Sequence, residues 1–218
     1  MEDSQIKTRQ RVADHGEVYT AEKEVKAMCD LVKDETERIE SRFLEPACGN
    51  GNFLAEILKR KLDIVKHRYS KSPYEYEKYS VIAVSSMYGV DILEDNILEC
   101  RNRLFNIWEK QYKKILKDYA NEDCIKSVKY IFNKNILCGD ALTMLQHNGL
   151  PIIFAEWSFI KDNLVKRKDY ALNELLDGGG QLTIENITWE YDEEINAYIP
   201  PAVKEYPLTD YKKVYEYE

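Results

Sequence analysis

Little in this sequence points to a disulfide framework or a metal centre. Its 218 residues include five cysteines and three histidines. The cysteines are odd in number, widely scattered and contain no Cys-x-x-Cys pair, the spacing typical of thiolate metal sites. The histidines also lie far apart, so no histidine cluster is indicated. The sequence therefore predicts neither structural disulfides nor a bound metal.

A long apolar run is also missing. No segment approaches the roughly 18 to 20 apolar residues that a membrane-spanning helix needs. The first residues, Met1-Glu2-Asp3-Ser4-Gln5, are polar and acidic and lack the apolar centre of a signal peptide. We therefore expect a cytoplasmic protein with no membrane association.

Positive charge is scarce as well. The 31 basic residues are outnumbered by 39 acidic ones, which gives a net charge of −8. Because nucleic-acid affinity comes largely from neutralising phosphates, such a chain is poorly equipped to hold DNA or RNA alone. The one basic cluster, Lys161, Lys166, Arg167 and Lys168, is open to two interpretations, a solvated loop or a set of phosphate contacts.

Short apolar stretches of strand type alternate with helical periodicity along the chain. This alternation predicts an α/β fold with a largely parallel sheet and helices on both faces. Four predicted strands lie near residues 43–44, 88–91, 135–138 and 152–155, and a further strand is predicted to open at 182–184. We divide the chain into an N-terminal helical segment (1–36), a core (37–160) and a C-terminal extension (161–218) that completes the sheet, packs on the domain or reaches into a neighbour.

Helices are predicted between these strands. Thr20 is expected to cap a helix whose buried positions are Val25, Met28 or Cys29, and Val32. Further helices are predicted from about Asn52 and after residue 93. The tyrosine-rich residues 66–80 are interpreted as a surface insertion that leads into a helix ending near residue 87.

The strongest local signal is the segment Phe43-Leu44-Glu45-Pro46-Ala47-Cys48-Gly49-Asn50-Gly51-Asn52-Phe53-Leu54. An apolar strand there runs into a glycine turn and then a helix. Gly49 and Gly51 would let the backbone approach a ligand, and the helix N-terminus offers unpaired N–H groups. A dinucleotide fingerprint would place a third glycine at Leu54 and an acid roughly 20 residues further on. Asp91 lies about twice as far away, so a nicotinamide or flavin enzyme is disfavoured.

Three other segments accompany this glycine loop: Asp14-His15-Gly16-Glu17-Val18-Tyr19-Thr20, Tyr88-Gly89-Val90-Asp91-Ile92 and Leu137-Cys138-Gly139-Asp140-Ala141-Leu142. Together and in this order, the four segments resemble the motifs of S-adenosylmethionine-dependent DNA methyltransferases of the N6-adenine type, including the modification subunits of type I restriction systems. The resemblance implies a Rossmann-like class I methyltransferase fold. It also implies S-adenosyl-L-methionine as the cofactor and methyl transfer to an exocyclic amine.

The resemblance assigns cofactor-binding roles residue by residue. Asp91 would hold the ribose hydroxyls, Ile92 would lie on the adenine, Asp140 would read the adenine amine, and Glu45 would pair with the methionine ammonium. The other implied cofactor-binding residues are Tyr19, Thr20, Pro46, Ala47, Gly49, Gly51, Asn52, Phe53 and Ala141. Asp91 and Asp140 could instead cap the helices that follow them, and Tyr19 could be a core residue.

The catalytic segment departs from the family pattern. The family has Asn-Pro-Pro-aromatic after its fourth strand, where the asparagine and a proline carbonyl accept hydrogen bonds from the target amine and the aromatic residue stacks on the flipped base. The corresponding residues here are Glu156-Trp157-Ser158-Phe159. Glu156 would replace the acceptor and Phe159 the stacking residue, but neither proline is present to shape the turn.

Two functions are compatible with the family resemblance and with the altered catalytic segment. The first is an adenine-specific DNA methyltransferase that uses Glu156 and Phe159. The second is a catalytically inactive, cofactor-binding or accessory subunit. In either case we expect a partner protein to carry target recognition and to bring the chain to DNA, and assembly as an accessory subunit or homo-oligomer is compatible with the sequence.

Overall fold

The computed structural model describes residues 7–15, 17–177, 190–192 and 197–217. The helices are α1 (Arg9–His15), α2 (Glu22–Leu31), α3 (Lys33–Thr36), α4 (Asn52–Tyr69), α5 (Pro73–Ser85), α6 (Glu94–Leu116), α7 (Glu122–Asn135) and α8 (Leu172–Asp177), with 3-10 turns at Lys117–Tyr119 and Tyr211–Glu216. The strands are β1 (Phe43–Glu45), β2 (Met87–Asp91), β3 (Ile136–Cys138), β4 (Ile153–Phe159), β5 (Leu164–Ala171), β6 (Glu190–Asp192), β7 (Ala197–Ile199), β8 (Lys204–Glu205) and β9 (Thr209–Asp210). Gly16, within the first of the four segments, and the strand predicted at 182–184 lie outside the described residues.

A parallel sheet of three strands, in the order β1-β2-β3, forms the centre of the fold. Leu44 is in register with Tyr88, and Asp91 with Cys138. Two helices connect each pair of strands, which confirms the predicted α/β class and its parallel pairing. Because the strands are parallel, the ends marked by Glu45, Asp91 and Cys138 meet at one edge, here called the carboxyl edge. The opposite edge is the amino edge.

The predicted surface insertion at 66–80 is wrong. α4 continues to Tyr69, and α5 begins at Pro73 after the capping residue Ser72, whose hydroxyl accepts a bond from the Glu75 amide. Proline is favoured at the first helical position because its missing N–H has no partner there in any case. Tyr76 is fully buried, so tyrosines that suggest a polar surface form part of the helical core.

Two helix starts also differ from expectation. Ala21, not Thr20, precedes α2, and no side chain caps that helix. α7 is an additional helix in the second connection. Its cap is Asn121, whose side-chain oxygen accepts bonds from the Asp123 and Cys124 amides at 2.9 and 3.0 Å. An asparagine followed by acidic residues is a recognisable helix start.

The apolar positions of α2 are only partly as predicted. Val25 and Cys29 are buried, whereas Met28 and Val32 are about half exposed. The alternative that places Cys29 in the core is therefore the correct one.

The fourth predicted strand belongs to a different sheet. β4 pairs antiparallel with β5, and β5 also pairs with β8 and β9. Only residues 160–163 separate β4 from β5, and so short a connection makes a hairpin, whereas a parallel neighbour needs a long crossover. The prediction of a largely parallel sheet is therefore correct for β1 to β3 and wrong for β4.

This hairpin also covers one face of the parallel sheet. Tyr88 and Val90 of β2 pack in one apolar cluster with Ile152, Phe154 and Leu172. The Tyr88 hydroxyl donates to the Ala155 carbonyl at 3.0 Å. Helices were expected on both faces, but at β2 this face is packed by the segment around β4 and the start of α8.

The end of the chain packs on the domain. Tyr211 and Val214 are fully buried, and the Tyr211 hydroxyl donates to Glu77 Oε1 at 2.9 Å. Tyr112 donates to the other oxygen of Glu77 at 2.5 Å, and Lys212 lies 3.1 Å from Glu77 Oε1. Of the alternatives left open by the sequence, the described C-terminal residues follow the second and pack on the domain. In the described part of the chain, no helix is both long and apolar enough to cross a membrane.

Candidate ligand site at the carboxyl edge

The glycine loop, residues 46–51, connects β1 to α4 at the carboxyl edge. Gly51 precedes α4 with φ +85°, and Gly49 has φ +51°. A Cβ on Gly51 would lie 2.6 Å from Cys100 Sγ, so both the backbone angle and the contact require glycine there. The Cys48 amide donates to the Val90 carbonyl at 2.8 Å, which fastens the loop to β2.

Close packing of α4 on the sheet depends on Gly89 of β2. A Cβ on Gly89 would lie 3.0 Å from Leu54 Cδ1 and 3.1 Å from Cys48 Sγ. In the dinucleotide fingerprint this helix–strand contact is made by the third glycine, which is absent here. In this protein the small residue at the contact is Gly89 of the strand, and the larger one is Leu54 of the helix. The spacing of glycines within the loop does not reveal this arrangement.

Asp91 connects the glycine loop, β2 and α6. Its Oδ2 accepts a hydrogen bond from the Gly49 amide at 2.9 Å, and its Oδ1 accepts from the Leu93 amide at 2.9 Å and from Asn96 Nδ2 at 3.2 Å. Leu93 precedes α6 and no side chain caps that helix, so the alternative that Asp91 caps it is wrong. A carboxylate has about four acceptor positions. Three are used here, so Asp91 is held in place while it retains capacity for another donor.

The segment Glu17–Thr20 lies over the glycine loop. A Cβ on Gly49 would be 3.2 Å from Tyr19 Cε1, and Asn52 Nδ2 donates to the Thr20 carbonyl at 3.0 Å. Tyr19 is only partly buried, so it is not a core residue. Burial and a hydrogen bond to Glu17 raise the pKa of Tyr19 to about 12, so its hydroxyl is a donor at neutral pH.

Glu45 ends β1 with a partly buried carboxylate. Desolvation raises the pKa of Glu45 above its ordinary value, and a hydrogen bond from the Ala47 backbone acts in the opposite direction. Within the described residues, no basic side chain forms an ion pair with Glu45. Pro46 and Ala47 are exposed beside it, whereas Phe53 packs against the core.

Asp140 lies just beyond β3 at the same edge. Its Oδ1 accepts from the Leu142 amide at 2.8 Å, and the residues that follow form a turn rather than a helix, so the helix-cap alternative for Asp140 is wrong. Ile92 is 45% exposed after β2. Ala141 is partly buried and packs against the apolar cluster under the hairpin. The residues expected to lie near the adenine therefore follow the C-terminal ends of the neighbouring strands β2 and β3.

His147 belongs to this region although nothing in its sequence context indicates it. Its Nε2 lies 2.9 Å from the Ile92 carbonyl oxygen and 3.4 Å from Cys138 Sγ. The loop 139–151 is thereby fastened beside Ile92. Only the path of this loop brings the two residues together, so no spacing in the sequence could have predicted the contact.

The predicted catalytic residues lie elsewhere, and their placement beside the cofactor residues is wrong. Glu156 Oε1 is 2.6 Å from Nη2 of Arg42, the residue that precedes β1. Trp157 Nε1 donates at 2.9 Å to Asn135, the residue before β3. Phe159 packs against Tyr211, with ring centroids 6.3 Å apart.

These contacts place the end of β4 at the amino edge. β4 runs opposite to the three parallel strands, because the preceding residue, Ile152, contacts Gly139 at the carboxyl edge. The family pattern assumes a parallel fourth strand whose C-terminal end faces the cofactor. In this fold, the C-terminal end of β4 is at the far side of the sheet.

Only one member of the basic cluster, the exposed Lys161, lies in a loop. Three of its members lie in β5. Arg167 is buried and bonds both oxygens of Asp169 at 2.7 Å. Lys166 and Lys168 both pair with Glu205.

Comparison with known proteins adds no assignment. No protein-family model, no curated protein and no solved structure matches the chain. Among the described residues, no group of three or more His, Cys, Asp or Glu side chains is arranged to hold a metal ion.

Proposed function

We propose that the carboxyl edge binds S-adenosyl-L-methionine. The observation that carries the proposal is the convergence of Glu45, Asp91 and Asp140 at the ends of three adjacent parallel strands, with the glycine loop between the first two. Crevices outside the carboxyl ends of parallel strands are the usual ligand sites of open α/β sheets.

Each part of the cofactor has a matching group at this edge. A ribose hydroxyl needs an acceptor, and Asp91 retains one acceptor position in a fixed orientation. The exocyclic amine of adenine needs an acceptor, for which Asp140 is placed beside the exposed Ile92. The methionine ammonium needs a negative charge, and Glu45 lacks a basic partner within the described part of the chain. The resemblance implies that residues 14–20 cover the methionine end of the cofactor, and Tyr19 lies over Gly49.

We further propose that this chain is the cofactor-binding component of a methyltransferase rather than the complete enzyme. Transfer to an amine requires an acceptor-binding group within about an ångström of the productive geometry. Glu156 and Phe159 are at the opposite edge of the sheet and are engaged by Arg42 and Tyr211. Under this proposal a partner protein supplies the acceptor-binding loop and the contact with DNA.

Calorimetric titration with S-adenosyl-L-methionine tests the proposal. We expect binding by the wild type and its loss in Asp91→Ala. The matched control is Asp63→Ala, which removes an exposed carboxylate on the outer surface of α4. A hundredfold excess of ligand over its dissociation constant should also stabilise the wild type by about 2.7 kcal/mol.

The absence of heat and of thermal stabilisation at millimolar cofactor would refute cofactor binding. Methyl transfer to DNA by the purified chain alone would refute the division of labour between two proteins. Retention of that transfer in Glu156→Ala would then show that another residue accepts the bond from the amine.

A further inference from the structure

Asn96 lies in the first turn of α6 and is almost completely buried, with 1% of its surface exposed. It stands between Asp91, at the end of β2, and the covering segment, defined here as residues 7–20. It belongs to none of the four motif segments.

The two ends of the Asn96 amide face groups of opposite charge. Its Nδ2 donates to Glu17 Oε1 at 2.7 Å and to Asp91 Oδ1 at 3.2 Å. Its Oδ1 accepts from Lys7 Nζ at 3.0 Å and from Arg11 Nη2 at 3.3 Å. Turning the amide over would place its oxygen against two carboxylates and its NH₂ group against two cations, so the charges determine its orientation.

Few other side chains could occupy this position. Aspartate has the same shape but would repel Glu17 and Asp91. Leucine has a similar volume but would remove one hydrogen-bond donor from each of those partly buried carboxylates. An amide is therefore specified by its chemistry, not by the space available.

The covering segment is held to α6 by charge on the far side of Asn96. Arg11 forms a two-point pair with Glu17, and its Nη1 lies 2.6 Å from Asp95 Oδ2. The hydrogen bond from Arg11 lowers the pKa of Glu17 to about 2. Glu17 Oε1 in turn accepts from the Tyr19 hydroxyl at 3.0 Å.

A continuous set of hydrogen bonds therefore runs from Asp91 through Asn96 and Glu17 to Tyr19. Asp91 also holds Gly49, against which the Tyr19 ring lies. Both ends of the network therefore contact Gly49 of the glycine loop. Asp91 accepts a hydrogen bond from its amide, and the ring of Tyr19 packs against it.

We propose that Asn96 is a positioning residue that couples ligand binding at Asp91 to docking of the covering segment over the glycine loop. This inference rests on the proposed cofactor site. A ligand that binds Asp91 and the underside of Tyr19 favours the docked segment, and the docked segment orients Asp91 for the ligand. Because linkage is reciprocal, each event should strengthen the other by the same factor.

The test measures both directions of the coupling with S-adenosyl-L-methionine as the probe. In the wild type, saturating probe should slow amide hydrogen exchange in residues 7–20. In Asn96→Leu at saturating probe this slowing should disappear, while exchange in the remaining helices is unchanged. Loss of a purely structural contact would instead raise exchange broadly.

The affinity measurement uses Glu17→Gln, which alters the covering segment without touching Asp91. Introduced alone, this substitution should weaken probe binding roughly tenfold, within the usual range of allosteric coupling. Introduced into Asn96→Leu, it should not weaken probe binding further. The matched control is Glu99→Gln, which removes an exposed ion pair between α6 and Lys7 and should change the affinity less than about twofold.

Each outcome decides a separate claim. A wild type that does not bind the probe overturns the cofactor site and the coupling with it. A wild type that binds, but in which Glu17→Gln has no effect or acts equally in both backgrounds, overturns the coupling alone. If Asn96→Leu does not fold, the effect of Glu17→Gln compared with Glu99→Gln still decides whether the segment contributes to affinity.

Discussion

The two edges of the parallel sheet differ in how far the protein satisfies its own polar groups. At the amino edge, Lys61 is fully buried and donates to the Ile39 and Ser41 carbonyls and the Ser86 hydroxyl, and Trp157 donates to Asn135. At the carboxyl edge, carboxylates retain acceptor capacity and Ile92 is exposed. Internal bonds satisfy the polar groups named at the amino edge, whereas the carboxyl edge keeps carboxylates with acceptor capacity to spare.

This contrast separates stability from binding. Substitutions at the closed edge should change the free energy of unfolding and leave ligand affinity alone. Substitution of Glu45 at the open edge should do the reverse. The glycine loop is the exception, because it must be both well packed and accessible.

The largest effect is expected at the glycine loop. Gly51→Ala adds a methyl group 2.6 Å from Cys100 Sγ at a residue with φ +85°, whereas Gly149→Ala adds one at φ +77° with nothing within 4 Å. We expect Gly51→Ala to destabilise the fold by about 3 kcal/mol and Gly149→Ala by about 1 kcal/mol, the strain alone. Urea unfolding of the pair measures this. If both variants lose the same free energy of unfolding, the contact between the new methyl group and Cys100 is relieved at no cost in stability.

The next effect is a pH dependence at the closed edge. Burial lowers the pKa of Lys61 to about 7, below the unfolded value of 10.5. Between these values the unfolded chain binds more protons, so this residue makes the fold more stable as pH rises from 7 to 10 and has no further pH effect below 7. Relative to Lys61→Met, the wild type should gain about 2 to 4 kcal/mol over that range, measured by urea unfolding.

If the free energies of unfolding of Lys61→Met and the wild type differ by the same amount at every pH in that range, Lys61 keeps an ordinary pKa. Its burial at the amino edge would then be partial in solution. Ligand affinity of Lys61→Met should equal that of the wild type at every pH, because the substituted residue lies at the edge away from the glycine loop.

The smallest and most specific effect compares two glutamates, one at each edge. Glu45→Gln should weaken binding of S-adenosyl-L-methionine about tenfold by removing a charge-assisted bond to its ammonium group. Adenosine lacks that group, so its binding should not change. Glu156→Gln should alter neither affinity, because the side chain pairs with Arg42 at the amino edge.

Calorimetry with both ligands on both variants checks this prediction. A loss of adenosine binding in Glu45→Gln would place Glu45 beside the ribose or base instead of the methionine. Since desolvation disfavours the charged form of Glu45, its substitution by glutamine should leave the melting temperature unchanged or raise it.

Local patterns predicted much of the candidate site. The strand before Glu45, the glycine turn and the helix from Asn52 follow from apolar content, backbone freedom and periodicity, all of which act over a few residues. The positions of Asp91 and Asp140 after short buried strands are local in the same way. Once the three strands are parallel, those positions must share an edge.

The tertiary structure alone decided the direction of β4, and with it the location of Glu156 and Phe159. A run of apolar residues records burial but not strand direction, which depends here on the short turn to β5 and on packing against Tyr88. The roles of Gly89, Asn96 and His147 likewise depend on residues far away in the chain. By itself the sequence determined the three parallel strands, the glycine loop and the helix from Asn52. Which edge Glu156 and Phe159 occupy was decided by long-range packing, which no local pattern encodes.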